Sequence, residues 1–125
     1  MEKTIQRRLN NLLEEGKVLL RNLPTKGGIS EKKAPIDRET EYRSWLMSAA
    51  NLIQITALSD SFLTQECERI LNDTELAYHV PTRVFQQMYG LLQAVKTEWD
   101  NGLLRKILLS LQIHILVVNY KNDED

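Results

Sequence analysis

Between Pro81 and Tyr120 the chain reads PTRVFQQMYGLLQAVKTEWDNGLLRKILLSLQIHILVVNY, and this stretch limits the possible folds more than any other. In its first half Val84, Phe85, Met88, Leu91, Leu92, Val95 and Trp99 fall on one side of a helix with 3.6 residues per turn. A stripe that wide has to be covered by other elements. Pro81 suits the first helical turn, where its missing N–H costs nothing, and Gly90 in mid-helix predicts close packing. Asn101-Gly102 marks a helix end, since both residues tolerate the left-handed conformation found there. The second half, Leu103 to about Asn119, is apolar almost all round, as expected of an element buried on several sides or packed on another protein. Its end, Ile113 to Val118, is rich in β-branched residues, and there a strand competes with the helix.

The preceding residues supply the cover. A first helix over about Glu2 to Asn22 carries Ile5, Leu9, Leu12, Leu19, Leu20 and Leu23 on one side, with Gly16 on the same stripe where a neighbour can come close. The stretch from Leu23 to Pro35 holds two prolines and Gly27-Gly28, which preclude a regular element. Asp37 is a candidate N-cap for a second helix reaching about Leu58, with Glu39 and Glu41 favourable to its dipole. Tyr42, Trp45, Leu46, Ala49, Leu52, Ile53 and Ala57 make its core face. Ser59-Asp60-Ser61 breaks and recaps the chain before a shorter helix, about Ser61 to Leu71, with Leu63, Cys67, Ile70 and Leu71 on one face. For Glu75 to Val80, a turn of helix and an extended segment both fit. The expectation is an all-α fold, a single helical bundle of about five helices: a basic helix and loop over 1–38, a core bundle over 39–120 and a short acidic tail over 121–125.

At 125 residues the chain is long enough to bury one core without staples. Cys67 has no partner cysteine, which fits a reducing compartment. The N-terminus opens directly into an amphipathic pattern, and Arg105, Lys106, Gln112 and His114 interrupt the later apolar run. These features predict a cytoplasmic protein that does not enter a membrane. A formal net charge of -1 excludes a globally basic nucleic-acid binder while leaving room for a local patch. Charge is indeed segregated. Residues 1–38 hold nine basic and five acidic side chains, a balance of +4, and the remainder holds seven and twelve, a balance of -5.

Candidate chemistry is sparse. His79 and His114 stand at no metal-ligand spacing with Cys67 or with a carboxylate pair. Cys67 is explained by its place on a helix stripe, His114 by a core or interface position, and Gly27-Gly28 lacks the Lys-Ser/Thr of a phosphate-cradling loop. Small helical ribonucleases of the HEPN class place an arginine a few residues before a histidine on one helix. Here Arg69 is ten residues before His79 and Arg105 nine before His114, so neither pair has that spacing. No catalytic residue, cofactor, metal or small-molecule substrate is therefore assigned. Lys3, Arg7, Lys17 and Arg21 line the polar side of the first helix, and Lys32 and Lys33 follow in the loop. Together they are candidate contacts to nucleic-acid phosphates, although a solvated helix face that also bears Glu14 and Glu15 accounts for the same residues. No aromatic side chain interleaves them, so contact would be to backbone rather than to stacked bases.

The later helices carry a resemblance. Trp45-x5-Asn51-Leu52-Ile53, Ser59-Asp60-Ser61-Phe62 and the segment from Gly90 through Leu104 resemble a helical N-terminal module of uncharacterised bacterial proteins associated with phage defence and mobile elements. In that group a Trp-led helix ends in Asn-Leu-Leu, a Gly-x-Asp-Ser turn follows, and a later helix ends in Asp-x-x-x-Gly-x-Leu. The resemblance spans about Arg43 to Val118 and rests on structural residues. It departs in Leu58, where the turn glycine is usual, and in Trp99 beside Asp100. Such modules commonly precede a second helical or effector domain; with none after Asp125, the resemblance implies a chain that either acts through a separately encoded partner or is itself an accessory subunit. The expected function is a non-enzymatic interaction module binding a protein partner or a second copy of itself, with Trp99, His114 and Leu116 as candidate interface residues. The alternative is an accessory subunit of a nucleoprotein complex, or a viral inhibitor of one, with the basic first helix and loop on RNA or DNA.

Overall fold

The computed structural model describes residues 2–24, 32–57 and 61–102, and within them each apolar stripe is a helix. These are α1 (Glu2–Arg21), α2 (Glu39–Thr56), α3 (Phe62–Leu71) and α4 (Thr82–Asp100), with single 3-10 turns at Ile36–Arg38 and Thr74–Ala77. The fold is all-α, with four α-helices among the described residues. The further helix expected from Leu103 to Asn119, the competing strand at its end and the acidic tail lie outside the described residues.

α1 packs on both α2 and α4, α2 packs on α4, and α3 lies against α4 and α2. The core has Leu9, Tyr42, Leu46, Ile53, Phe85, Met88 and Leu92 at its most buried positions. Cys67 on α3 is fully buried among them, as its stripe position required.

Two side chains of α2 donate hydrogen bonds to carbonyls of α1 and fix their antiparallel register. The Tyr42 hydroxyl donates to the Leu19 carbonyl at 2.7 Å, and the Trp45 indole N–H donates to the Leu12 carbonyl at 2.8 Å. Both rings then meet α4. Tyr42 packs edge-on to Phe85 with centroids 5.2 Å apart, and Trp45 lies 4.6 Å from the same ring. Gly16 makes this possible. A Cβ there would stand 2.5 Å from Cζ2 of Trp45, so only glycine admits the indole.

Several local expectations are corrected. Gly90 faces open space, with nothing within 4 Å of where a Cβ would stand, so no close approach explains it. Asp37 lies inside the 3-10 turn, and α2 begins after Arg38 without a side-chain cap. Pro81 is the residue before α4 and not its first helical residue: its ψ of 143° is extended. The segment after Asp73 combines both alternatives. Thr74–Ala77 is a 3-10 turn capped by the Asp73 carboxylate, which accepts from the Glu75 N–H at 3.0 Å, and the chain then extends into Val80. Other ends fall where chemistry placed them. The Ser61 hydroxyl caps α3 by accepting from the Thr64 N–H, and Gly102 closes α4 with φ 82°.

A short strap crosses the start of α4. Lys33 forms an isolated antiparallel bridge with Pro81: the Ala34 N–H donates to the Val80 carbonyl at 2.8 Å and the Thr82 N–H to the Lys32 carbonyl at 2.9 Å. Pro81 has no side-chain acceptor for the free N–H groups of the first turn, and the Lys32 carbonyl serves one of them. Thr82 also donates through its hydroxyl to the Pro24 carbonyl at 3.0 Å. The end of α1 and the strap are thus held at one residue.

Candidate anion-binding face

On α1 the polar residues Lys3, Arg7, Asn10, Glu14, Lys17 and Arg21 follow one another at alternating steps of four and three, and all are exposed opposite the buried leucines. Lys3 to Arg21 spans about 27 Å at 1.5 Å per residue. Through Thr82 the fold ties the Arg21 end of this stripe to the strap that carries Lys32, which is exposed, and Lys33, which is partly buried. The predicted contacts are therefore arranged in two groups: Lys17, Arg21, Lys32 and Lys33 towards one end of the bundle, Lys3 and Arg7 towards the other. Arg8 is exposed beside them, off the stripe, and was not among the predicted contacts.

The distribution of ion pairs separates these cations from the rest. Arg38 pairs with Glu41 at 3.1 Å, Arg43 with Glu39 at 2.7 Å, Arg69 with Glu66 at 2.9 Å and Lys96 with Asp100 at 2.7 Å. Arg83 reaches both Asp73 at 2.9 Å and Glu75 at 3.1 Å. Every described lysine and arginine from Arg38 onward is thus matched to a carboxylate. Among the described residues, Lys3, Arg7, Arg8, Lys17, Arg21, Lys32 and Lys33 have no such partner. Lys3–Arg7 and Lys17–Arg21 are moreover like-charge pairs four residues apart, each unfavourable by about 0.2–0.5 kcal/mol on an isolated helix. Lys32 and Lys33 sit on the strap bound to the positive end of α4, which also disfavours cations. Among the described residues, no ion pair neutralises the cations of this surface.

Of the other candidate interface, only Trp99 lies among the described residues. Trp99, a candidate interface residue, is 2% exposed, because its place on the α4 stripe points it into the core. Its indole N–H has no hydrogen-bond partner among the described residues. His114 and Leu116 lie outside the described residues.

Burial pushes the Cys67 thiol above its ordinary pKa, with the nearby Glu68 charge adding to the shift, so it is protonated at neutral pH. Burial likewise raises the Tyr42 phenol, partly offset by Arg38. The hydrogen bonds from Arg69 hold Glu66 below the usual carboxylate range. His79 Nε2 lies 3.2 Å from Glu75 Oε2, in the same cluster as Arg83 and Asp73. No group of three or more metal-ligating side chains is assembled among the described residues. No described helix is long and apolar enough to cross a membrane.

The described residues form an all-α bundle with a basic face whose cations have no carboxylate partner among them. Comparisons with protein-family models, curated proteins and solved structures return no match to this chain.

Proposed function

We propose that this chain is a non-enzymatic accessory module that lays α1 and the strap along the phosphate backbone of RNA or DNA. The observation that carries it is the segregation of paired from unpaired cations. Among the described residues, stability and solubility alone give no reason to match each cation from Arg38 onward to a carboxylate and leave the seven before it without one. A polyanion relieves the like-charge repulsion on α1 and gains counterion release. The resemblance to modules of phage-defence and mobile-element proteins suggests a bacterial nucleoprotein complex as the setting. Docking of a protein partner or a second copy through the last helix is the weaker alternative, since Trp99 is not available as its anchor.

The test is binding of the intact chain to a labelled duplex of arbitrary sequence as a function of salt. If four to six of these cations meet phosphates, log K falls against log salt with a slope of about -4 to -5. Lys3→Gln with Arg7→Gln lowers that slope by about 2, for every sequence alike. Absence of binding at low ionic strength, or a slope unaffected by these substitutions, refutes the assignment.

A further inference from the structure

About a third of the way round α1 from the basic stripe, a groove of about 540 Å³ opens between α1 and α2, lined by Glu15, Val18, Leu19, Glu41, Ser44, Trp45 and Ser48. Its origin is local. Gly16 brings α2 close on the buried side, while Ser44 and Ser48, one turn apart on α2, are too short to fill the space above. The floor is apolar, formed by Leu19 and Trp45, and Val18 stands at the rim 52% exposed. The volume lies within the range of about 300–1,000 Å³ typical of ligand sites.

The walls carry one sign of charge. Residues three and four away from Glu15 on its helix are Asn11, Leu12, Val18 and Leu19, so no cation is in helical reach, and among the described residues none pairs with it. Across the groove, Glu41 is engaged only through Oε2, which accepts from both Nε and Nη2 of Arg38 at 3.1 Å. Its Oε1 has no partner among the described residues. Two carboxylates with spare acceptor capacity, two hydroxyls and an apolar floor are complementary to a cation carried on an apolar stem. An anionic group is repelled by the two carboxylates, a neutral one makes hydrogen bonds without compensating their charge, and a purely apolar one leaves Glu15 desolvated and unpaired.

We propose that this groove receives a basic side chain, lysine or arginine, presented between apolar residues on a segment of a partner protein. The stem packs on Leu19, Val18 and the Trp45 ring while its charged end lies between Glu15 and Glu41. The site is independent of the basic stripe: together the two make a module with an anion-seeking face and a cation-seeking groove on adjoining sides of one helix.

The experiment is an NMR titration of the intact chain with an acetylated Leu-Lys-Leu amide, against its Leu-Gln-Leu counterpart as control. Saturable shifts at the amides of Val18, Ser44 and Ser48 are expected with the lysine peptide. Affinity falls by about tenfold with the glutamine peptide, as loss of a hydrogen bond to a charged group implies, and falls similarly in a Glu15→Gln, Glu41→Gln variant. Both glutamates are exposed, so the variant keeps its fold, which circular dichroism verifies. Lys17→Gln with Arg21→Gln removes nucleic-acid contacts and leaves the peptide titration unchanged. Equal shifts with both peptides, or no shift with either, overturn the proposal. So does self-association that Glu15→Gln abolishes, because it gives the groove to a second copy of the chain.

Discussion

Replacing each of two mid-helix glycines by alanine tests the packing in opposite directions. At Gly16 the new methyl would sit 2.5 Å from Cζ2, 2.8 Å from Cε2 and 3.0 Å from Nε1 of Trp45. Carbon atoms in contact prefer about 3.5–4.0 Å, so the indole must retreat by about 1 Å. It has little room to do so, being 3% exposed and packed 4.6 Å from the Phe85 ring. A shift of that size also stretches the 2.8 Å bond to the Leu12 carbonyl beyond useful length. Overpacking costs about 1–3 kcal/mol and a buried indole N–H left without its acceptor about as much again. Alanine's better helix propensity returns about 1 kcal/mol. The net expectation for Gly16→Ala is a loss of about 3 kcal/mol, or a melting temperature lower by about 10 °C for a domain of this size. At Gly90 nothing approaches, only the propensity remains, and Gly90→Ala stabilises by about 0.5–1 kcal/mol. Urea denaturation followed by circular dichroism measures both. In a Trp45→Leu background the clash at Gly16 is gone, and Gly16→Ala should become neutral or stabilising, a coupling that a double-mutant cycle isolates. If Gly16→Ala is as stable as the parent, or both alanines shift stability the same way, the account of how α1, α2 and α4 meet is wrong.

The two tryptophans provide a second contrast. Both lose ring volume on replacement by Phe, but Trp45→Phe also loses the bond to Leu12, whereas Trp99→Phe removes an N–H without a partner among the described residues. Trp45→Phe should therefore be the more destabilising by about 1 kcal/mol or more in the same denaturation assay. For Cys67 the folded pKa is raised, so the unfolded chain loses its thiol proton first and stability should fall as pH rises above the ordinary thiol range, while staying flat with respect to this group below it. Cys67→Ala should abolish that alkaline slope, and alkylation of Cys67 at neutral pH should proceed only at the rate of opening. Thr82→Val deletes the hydroxyl bond to Pro24 and should cost about 1 kcal/mol, with faster hydrogen exchange at the Ala34 amide as the local sign.

What the sequence disclosed was what periodicity and cap chemistry encode. The stripes of α1, α2, α3 and α4 were legible because burial imposes the 3.6 period directly on residue type, and Gly16 stood out because it lay on such a stripe. The same logic fails at Gly90, because mid-helix position carries no record of which atoms lie across from it, and nothing stands within 4 Å of where its Cβ would be. Trp99 lies on the buried stripe of α4, and that periodicity predicts its 2% exposure where its size and aromatic ring point to an interface. Asp37 and Pro81 each lie within a residue or two of a helix start without holding the expected position, because backbone geometry at the junctions decides which residue begins the helix. The strap was invisible, since a two-bond bridge between segments nearly fifty residues apart leaves no pattern in either. As for the candidate face, the basic residues and their spacing were readable, but the decisive property was not. Which cations remain unpaired depends on where the carboxylates of α2, α3 and α4 come to lie, and composition alone carries no record of that.

Thr82 has a consequence for how this chain tolerates change. Its hydroxyl holds the Pro24 carbonyl, three residues past the end of α1, its amide holds the Lys32 carbonyl on the strap, and both bonds come from the first residue of a different helix. A change of backbone geometry at this one position therefore disturbs α1 and the strap together, and Thr82→Pro, which removes the amide donor along with the hydroxyl, should loosen both at once.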